Sequence, residues 1–140
     1  MASALILYDE DCGFCRWSLA KLLAWDRRGR LRPVPLATPE ADRTLEGMPR
    51  DRQMSSWHLL APDGRLYSAG HGFAPLFRLL PGGAPLAALA DRAPRLSERG
   101  YRWVADRRSR FGRLLSDGAK RRADRRIAAR RSIKYTRTAR

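Results

Sequence analysis

The stretch that most constrains this chain is "ALILYDEDCGFCRWSLAKLLAWDRRG", residues 4–29. Its first part, Ala4 to Asp9, is a short apolar run ending in acid, of a length that fits a buried strand. Cys12 and Cys15 follow at once, and they are the only cysteines among 140 residues. The apolar period then changes. Cys15, Leu19, Leu22 and Leu23 recur at helical offsets and define one face. Asp11 is the expected N-cap of that helix, and Gly29, after basic Arg27 and Arg28, is its expected stop.

Further along, "LRPVPL" (31–36) reads as a strand. Pro33 and Pro35 each lack an N–H, which suggests an edge position or a poorly regular strand. Residues 37–52 are polar and broken by prolines, and read as a loop with one short helix from Glu40. "SSWHLLAPDGRLYSAG" is two apolar segments around Pro62-Asp63-Gly64, the pattern of a β-hairpin. Helical patterns follow in "HGFAPLFRLL", in "APLAALADRA" and in residues 97–115. In the last of these Ser97 is the expected N-cap, and Tyr101, Val104, Phe111 and Leu115 share a face. The order β-α-β, hairpin, helices predicts an α/β domain. A strand that enters a helix through C-x-x-C is the thioredoxin-like arrangement.

Two cysteines in this position fit three chemistries: a redox pair, half of a metal site, or a structural bridge. Zinc takes four N or S ligands, and the only other candidates are His58 and His71, neither with local ligand spacing. No metal and no cofactor is therefore expected. His58 reads as an ordinary strand residue, outward or packed, and His71 as local structure. Thiol–disulfide exchange needs an attacking thiolate and a second thiol in reach of it. Cys12 at the helix start meets free backbone N–H groups and the positive end of the helix dipole, which favour its thiolate. Arg16, one turn on, is expected to add positive charge. Cys15 lies on the apolar face and is expected to be the more buried. The assigned roles are nucleophile for Cys12 and resolving thiol for Cys15. Gly13 is expected to admit a partner chain and Phe14 to offer it an apolar contact.

"YDEDCGFC" resembles the opening signature of the DCC family of predicted thiol-disulfide oxidoreductases: a strand, then Asp-x-x-Cys-x-x-Cys, matched by Asp9, Cys12 and Cys15. An aspartate directly before the first cysteine is matched by Asp11. Later blocks, "DGRLYSAG", "LLPGG" and "YRWVADRRSRF", extend the resemblance over residues 4 to 115. It implies a thioredoxin-like fold and dithiol chemistry on a protein or small-molecule thiol or disulfide. Thioredoxins keep a buried aspartate six residues before the first cysteine, and here that place holds Ile6. Proton transfer from Cys15 is then expected to use Asp9 or Asp11, which completes the candidate catalytic set with Cys12 and Cys15.

The charge is strongly positive, +15, and uneven. Residues 116–140 carry ten Lys or Arg against Asp117 and Asp124. The expected organisation is a domain over residues 1–115 and a basic tail over 116–140, either a solvated helix or disordered. Such a tail would contact nucleic acid or an anionic membrane, weakly and with strong salt dependence, through residues 119–140. Its one aromatic, Tyr135, gives little support for base stacking. The competing reading is a non-enzymatic binding protein whose basic tail contacts nucleic acid, an anionic membrane or an acidic protein, with a vestigial or structural C-x-x-C. No apolar stretch approaches the roughly 20 residues that span a bilayer, and the first residues lack a basic start. A soluble, cytoplasmic protein is expected, where a C-x-x-C pair is more often catalytic or metal-binding than structural.

Overall fold

A computed structural model describes residues 3–138, with side chains as far as Arg131. Strand β1 (Ala4–Tyr8) leads into helix α1 (Gly13–Trp25) and then strand β2 (Leu31–Pro35). Two short helices follow, α2 (Pro39–Thr44) and α3 (Arg50–Ser55), where the sequence suggested one. The hairpin is β3 (His58–Leu60) and β4 (Leu66–Ser68). A 3₁₀ turn (Ala69–Gly72) then opens a run of four helices: α4 (Phe73–Leu79), α5 (Ala84–Arg92), α6 (Pro94–Leu114) and α7 (Asp117–Thr138).

The sheet has the order β2-β1-β3-β4, with β1 and β2 parallel and the other pairs antiparallel. β1 is central and covered on both faces, which is why its residues are apolar without alternation. Its even residues, Ala4, Ile6 and Tyr8, pack with Leu19, Leu23, Leu59 and Leu76. Its Leu7 packs on the opposite face with Val34, Leu36 and Leu45. β2 lies at the edge, as its prolines require. The Leu36 N–H donates to the Tyr8 carbonyl at 2.9 Å, so by alternation the missing N–H groups of Pro33 and Pro35 fall on the open side. The whole is a thioredoxin-like α/β arrangement with the two cysteines at the start of α1.

Three expectations about helix ends change. α1 is capped by Cys12 itself, not Asp11. At its other end the helix stops at Asp26, and Gly29, with φ +66°, closes the turn three residues later. α6 begins at Pro94 rather than at Ser97, because proline suits the first helical turn; the Ser97 hydroxyl instead donates to the Ala93 carbonyl.

The basic segment after Leu115 is a helix packed along α1. Ala123 and Ile127 of α7 are buried, and Ile127 joins the core of the α1 face. Asp26 is completely buried, and Arg130 of α7 reaches it. The guanidinium donates to the Asp26 carboxylate at 2.5 Å and to the carbonyls of Leu23, Asp26 and Leu31, each at 3.1 Å. The same carboxylate accepts the N–H groups of Arg30 and Leu31 at 3.0 and 2.8 Å. One node thus ties the end of α1, the start of β2 and the last helix. The side chains of Lys134, Tyr135 and Arg137, and residues 139–140, lie outside the described residues.

Candidate active site: the dithiol at the start of α1

The first turn of α1 leaves backbone N–H groups without helical partners, and the Cys12 sulfur takes one of them. The Cys15 N–H donates to Cys12 Sγ at 3.2 Å. Cys12 is extended at φ −94° and ψ 109°, as a cap must be, and both cysteines are free and half-buried. Its thiol is held well below the ordinary value, at about 6. The largest cause is the hydrogen bond from the Cys15 thiol; the Cys15 backbone N–H and the positive charge of Arg108 act in the same direction, and burial opposes them. Cys15 is pushed far up, because its proton serves the Cys12 sulfur, because it is the more buried, and because a thiolate lies beside it. The pair titrates as a unit, one thiolate sharing one proton donor.

Asp9 sits directly after β1. Its carboxylate accepts the Asp11 N–H at 3.0 Å, and its carbonyl accepts the Cys12 N–H at 3.4 Å. It therefore shapes the turn that presents Cys12. Its negative charge also raises both thiols slightly. Asp11 is exposed and enters the site through its backbone alone.

Arg16 does not supply the charge expected of it. It donates to the Glu10 carbonyl and pairs with Asp124 of α7 at 2.8 Å. The cation that acts on the thiols is Arg108, from α6. Nothing local marks Arg108 among so many arginines; only the packing of α6 beside α1 brings it there. Gly13 and Phe14 also face the protein's own chain. A Cβ at Gly13 would come within 3.2 Å of the Lys120 side chain, and Phe14 packs on Phe111 of α6 with ring centroids 5.3 Å apart. His58 is buried, with Nε2 donating to the Gln53 carbonyl at 2.9 Å and Nδ1 2.6 Å from the Ser68 hydroxyl. Burial lowers its pKa, and it acts as a structural residue. His71 is exposed and lies 3.8 Å from Glu98. Among the described residues no group of three or more His, Cys, Asp or Glu could hold a metal ion.

A cleft opens on the inner side of the dithiol. Its volume is about 460 Å³, and its walls are almost entirely apolar. Cys15, Trp57, Phe77, Tyr101 and Arg108 are among its lining residues. The Tyr101 hydroxyl is pushed up by burial and hydrogen-bonded by the Trp57 backbone.

A half-buried C-x-x-C pair at a helix start, on a thioredoxin-like sheet, defines a dithiol protein. The chain belongs to the DCC1-like thiol-disulfide oxidoreductase family, whose pattern it matches over residues 6–114. No curated protein and no solved structure matches it. Among the described residues no helix is long and apolar enough to cross a membrane.

Proposed function

We propose that the protein is an enzyme of thiol–disulfide exchange, with Cys12 as nucleophile and Cys15 as resolving thiol. One observation carries this reading: the Cys15 N–H donates to the Cys12 sulfur at 3.2 Å at the start of α1, with the Cys15 thiol beside it, a setting that lowers the Cys12 pKa and favours its thiolate. The Cys12 thiolate attacks a substrate disulfide, forming a mixed disulfide and releasing one thiolate. Cys15 then loses its proton and attacks the Cys12 sulfur. The second thiolate leaves, and two electrons have passed from the dithiol to the substrate. The reverse sequence reduces the protein.

Asp9 is the proposed acceptor for the Cys15 proton. It borders the same cleft as Cys15, and the strand position that holds a buried carboxylate in thioredoxins is Ile6 here; Tyr8, which also lines the cleft, is raised by burial and is the weaker acid. Asp11 holds Asp9 in place through its N–H. The reading is tested by trapping. Cys15→Ser should accumulate mixed disulfides with added substrate or cell thiols, and Cys12→Ser should not. Trapping by both variants, or by neither, removes the role assignment. The reading assigns the protein to the cytoplasm, where such a pair is kept reduced.

A second activity is compatible with the first. Arg121, Arg122, Arg125, Arg126 and Arg131 stay exposed on α7, and this face would take nucleic acid or an anionic membrane surface. Retention on heparin resin that disappears below about 0.2 M salt would argue against anything beyond a weak contact.

A further inference from the structure

We propose that the cleft beside Cys15 binds a small lipophilic thiol or disulfide that carries an anionic group, and that this is the substrate class of the dithiol. The proposal rests on the exchange reading above and gives it a substrate. The apolar walls of this open cleft of about 460 Å³ lack the contacts that a ligand seated in it would supply. The size falls within the range of small-molecule sites, which are mostly apolar with a few placed polar groups. A peptide strand is a poor occupant, because its backbone amides would meet few partners on apolar walls.

The cleft is long. It runs beside α1 from Cys15 to Trp25, about 15 Å at the helical rise. Two cations, Arg108 and Lys21, and one carboxylate, Asp9, line it, and among the described residues neither cation pairs with a carboxylate. Arg108 lies at the thiol end, where a departing substrate thiolate would need positive charge. Lys21 lies about 9 Å further along the helix, with its ammonium 5.4 Å from the centre of the Trp17 ring. The fitting ligand has sulfur at one end, an apolar body, and a carboxylate or similar anion about that far away.

In the reducing direction, a ligand seated in the cleft, whose lining includes Cys15 but not Cys12, extends its thiolate to the adjoining Cys12 sulfur; a ligand–Cys12 disulfide forms, the Cys12–Cys15 bond breaks, and Cys15 leaves as the thiolate. A second ligand thiol then displaces Cys12, so the ligand is oxidised to a disulfide and the protein gains two electrons.

Lipoate and dihydrolipoate are suitable probes, because they combine sulfur, an aliphatic chain and a carboxylate. Binding is read without exchange in a Cys12→Ser/Cys15→Ser protein, since Trp17, Trp25 and Trp57 line the cleft and report by quenching. Lipoate should quench saturably. Lys21→Gln should weaken lipoate about threefold and leave neutral lipoamide alone, as expected for an exposed charge. Ala105→Phe, which fills the cleft, should weaken both about tenfold or more, with a thermal melt checking its fold. Exchange is read on the oxidised wild-type protein. Dihydrolipoate should reduce it faster than dithiothreitol, and Ala105→Phe should collapse that ratio. Absence of saturable quenching, or an unchanged ratio, overturns the proposal. If neither dithiol reduces the protein, the exchange reading fails, and the quenching arm still decides whether the cleft binds.

Discussion

Replacing Arg130 by alanine tests whether the last helix belongs to the fold. The substitution deletes a guanidinium that donates to the Asp26 carboxylate and to three carbonyls, those of Leu23, Asp26 and Leu31. It leaves a fully buried carboxylate whose remaining donors are two backbone N–H groups. Breaking a buried ion pair from one side costs about 3–5 kcal/mol. Those two donors, and the 19% exposure of the Arg130 side chain, which admits water, put this case near about 3 kcal/mol. For a chain of this size that is a drop in melting temperature of about 10 °C. The measurement is a thermal melt of the reduced protein at pH 7, followed by circular dichroism. Because the pair is enclosed, raising the salt should change the difference little. Asp26→Ala should cost a similar amount, and the double variant should cost less than the sum of the two, since each single change leaves the other partner stranded. A chain ending at Leu115 loses Arg130 together with buried Ala123 and Ile127, and should melt lower still. A drop below about 3 °C for Arg130→Ala, with additive single effects, would refute the reasoning and return α7 to the status of a solvated extension.

Alkylation of the reduced protein should follow the Cys12 thiolate, rising to half its plateau near pH 6. Cys15→Ala should move that midpoint upward, because the largest stabilising hydrogen bond is lost; an unmoved midpoint would put the cause elsewhere. The sign for stability follows from the lowered value: the Cys12 contribution is full above the range of a free thiol and disappears as pH falls through about 6. Cys15 acts oppositely, its contribution being full below that range and lost only as pH rises through its raised value. Asp9→Asn should lower the Cys12 midpoint slightly, by removing an opposing charge, and should slow resolution of the mixed disulfide in stopped-flow traces. An unaltered resolving rate would remove the proton-acceptor role. Asp11→Ala should change neither reading by much, since its side chain caps nothing and its N–H remains.

The dithiol and its setting were legible in the sequence for local reasons. An apolar run long enough for one strand, two cysteines three apart, and a following 3.6-residue period fix strand, turn and helix without reference to the rest of the chain. The two prolines of β2 pointed to an edge or a poorly regular strand because a missing N–H constrains pairing wherever the strand lies, and the sheet order makes it the edge. The hairpin turn at Pro62-Asp63-Gly64 was equally local. The capping residue was less legible: both Asp11 and Cys12 are one or two residues before the helix, and the choice fell to Cys12 because its sulfur meets the Cys15 N–H.

What the tertiary structure decided lies at long sequence separation. Arg108 stands 96 positions beyond Cys12, and only the docking of α6 selects it from the other arginines. The cleft exists because β1, α1, α4 and α6 stop short of filling the space between them, which no residue pattern records. The basic segment after Leu115 read as a tail because it is poor in apolar residues. One isoleucine, one alanine and one arginine aimed at a buried aspartate are enough to seat it. Charge counted along a sequence cannot distinguish an arginine facing water from one that satisfies a buried carboxylate, because the difference lies in which groups it meets.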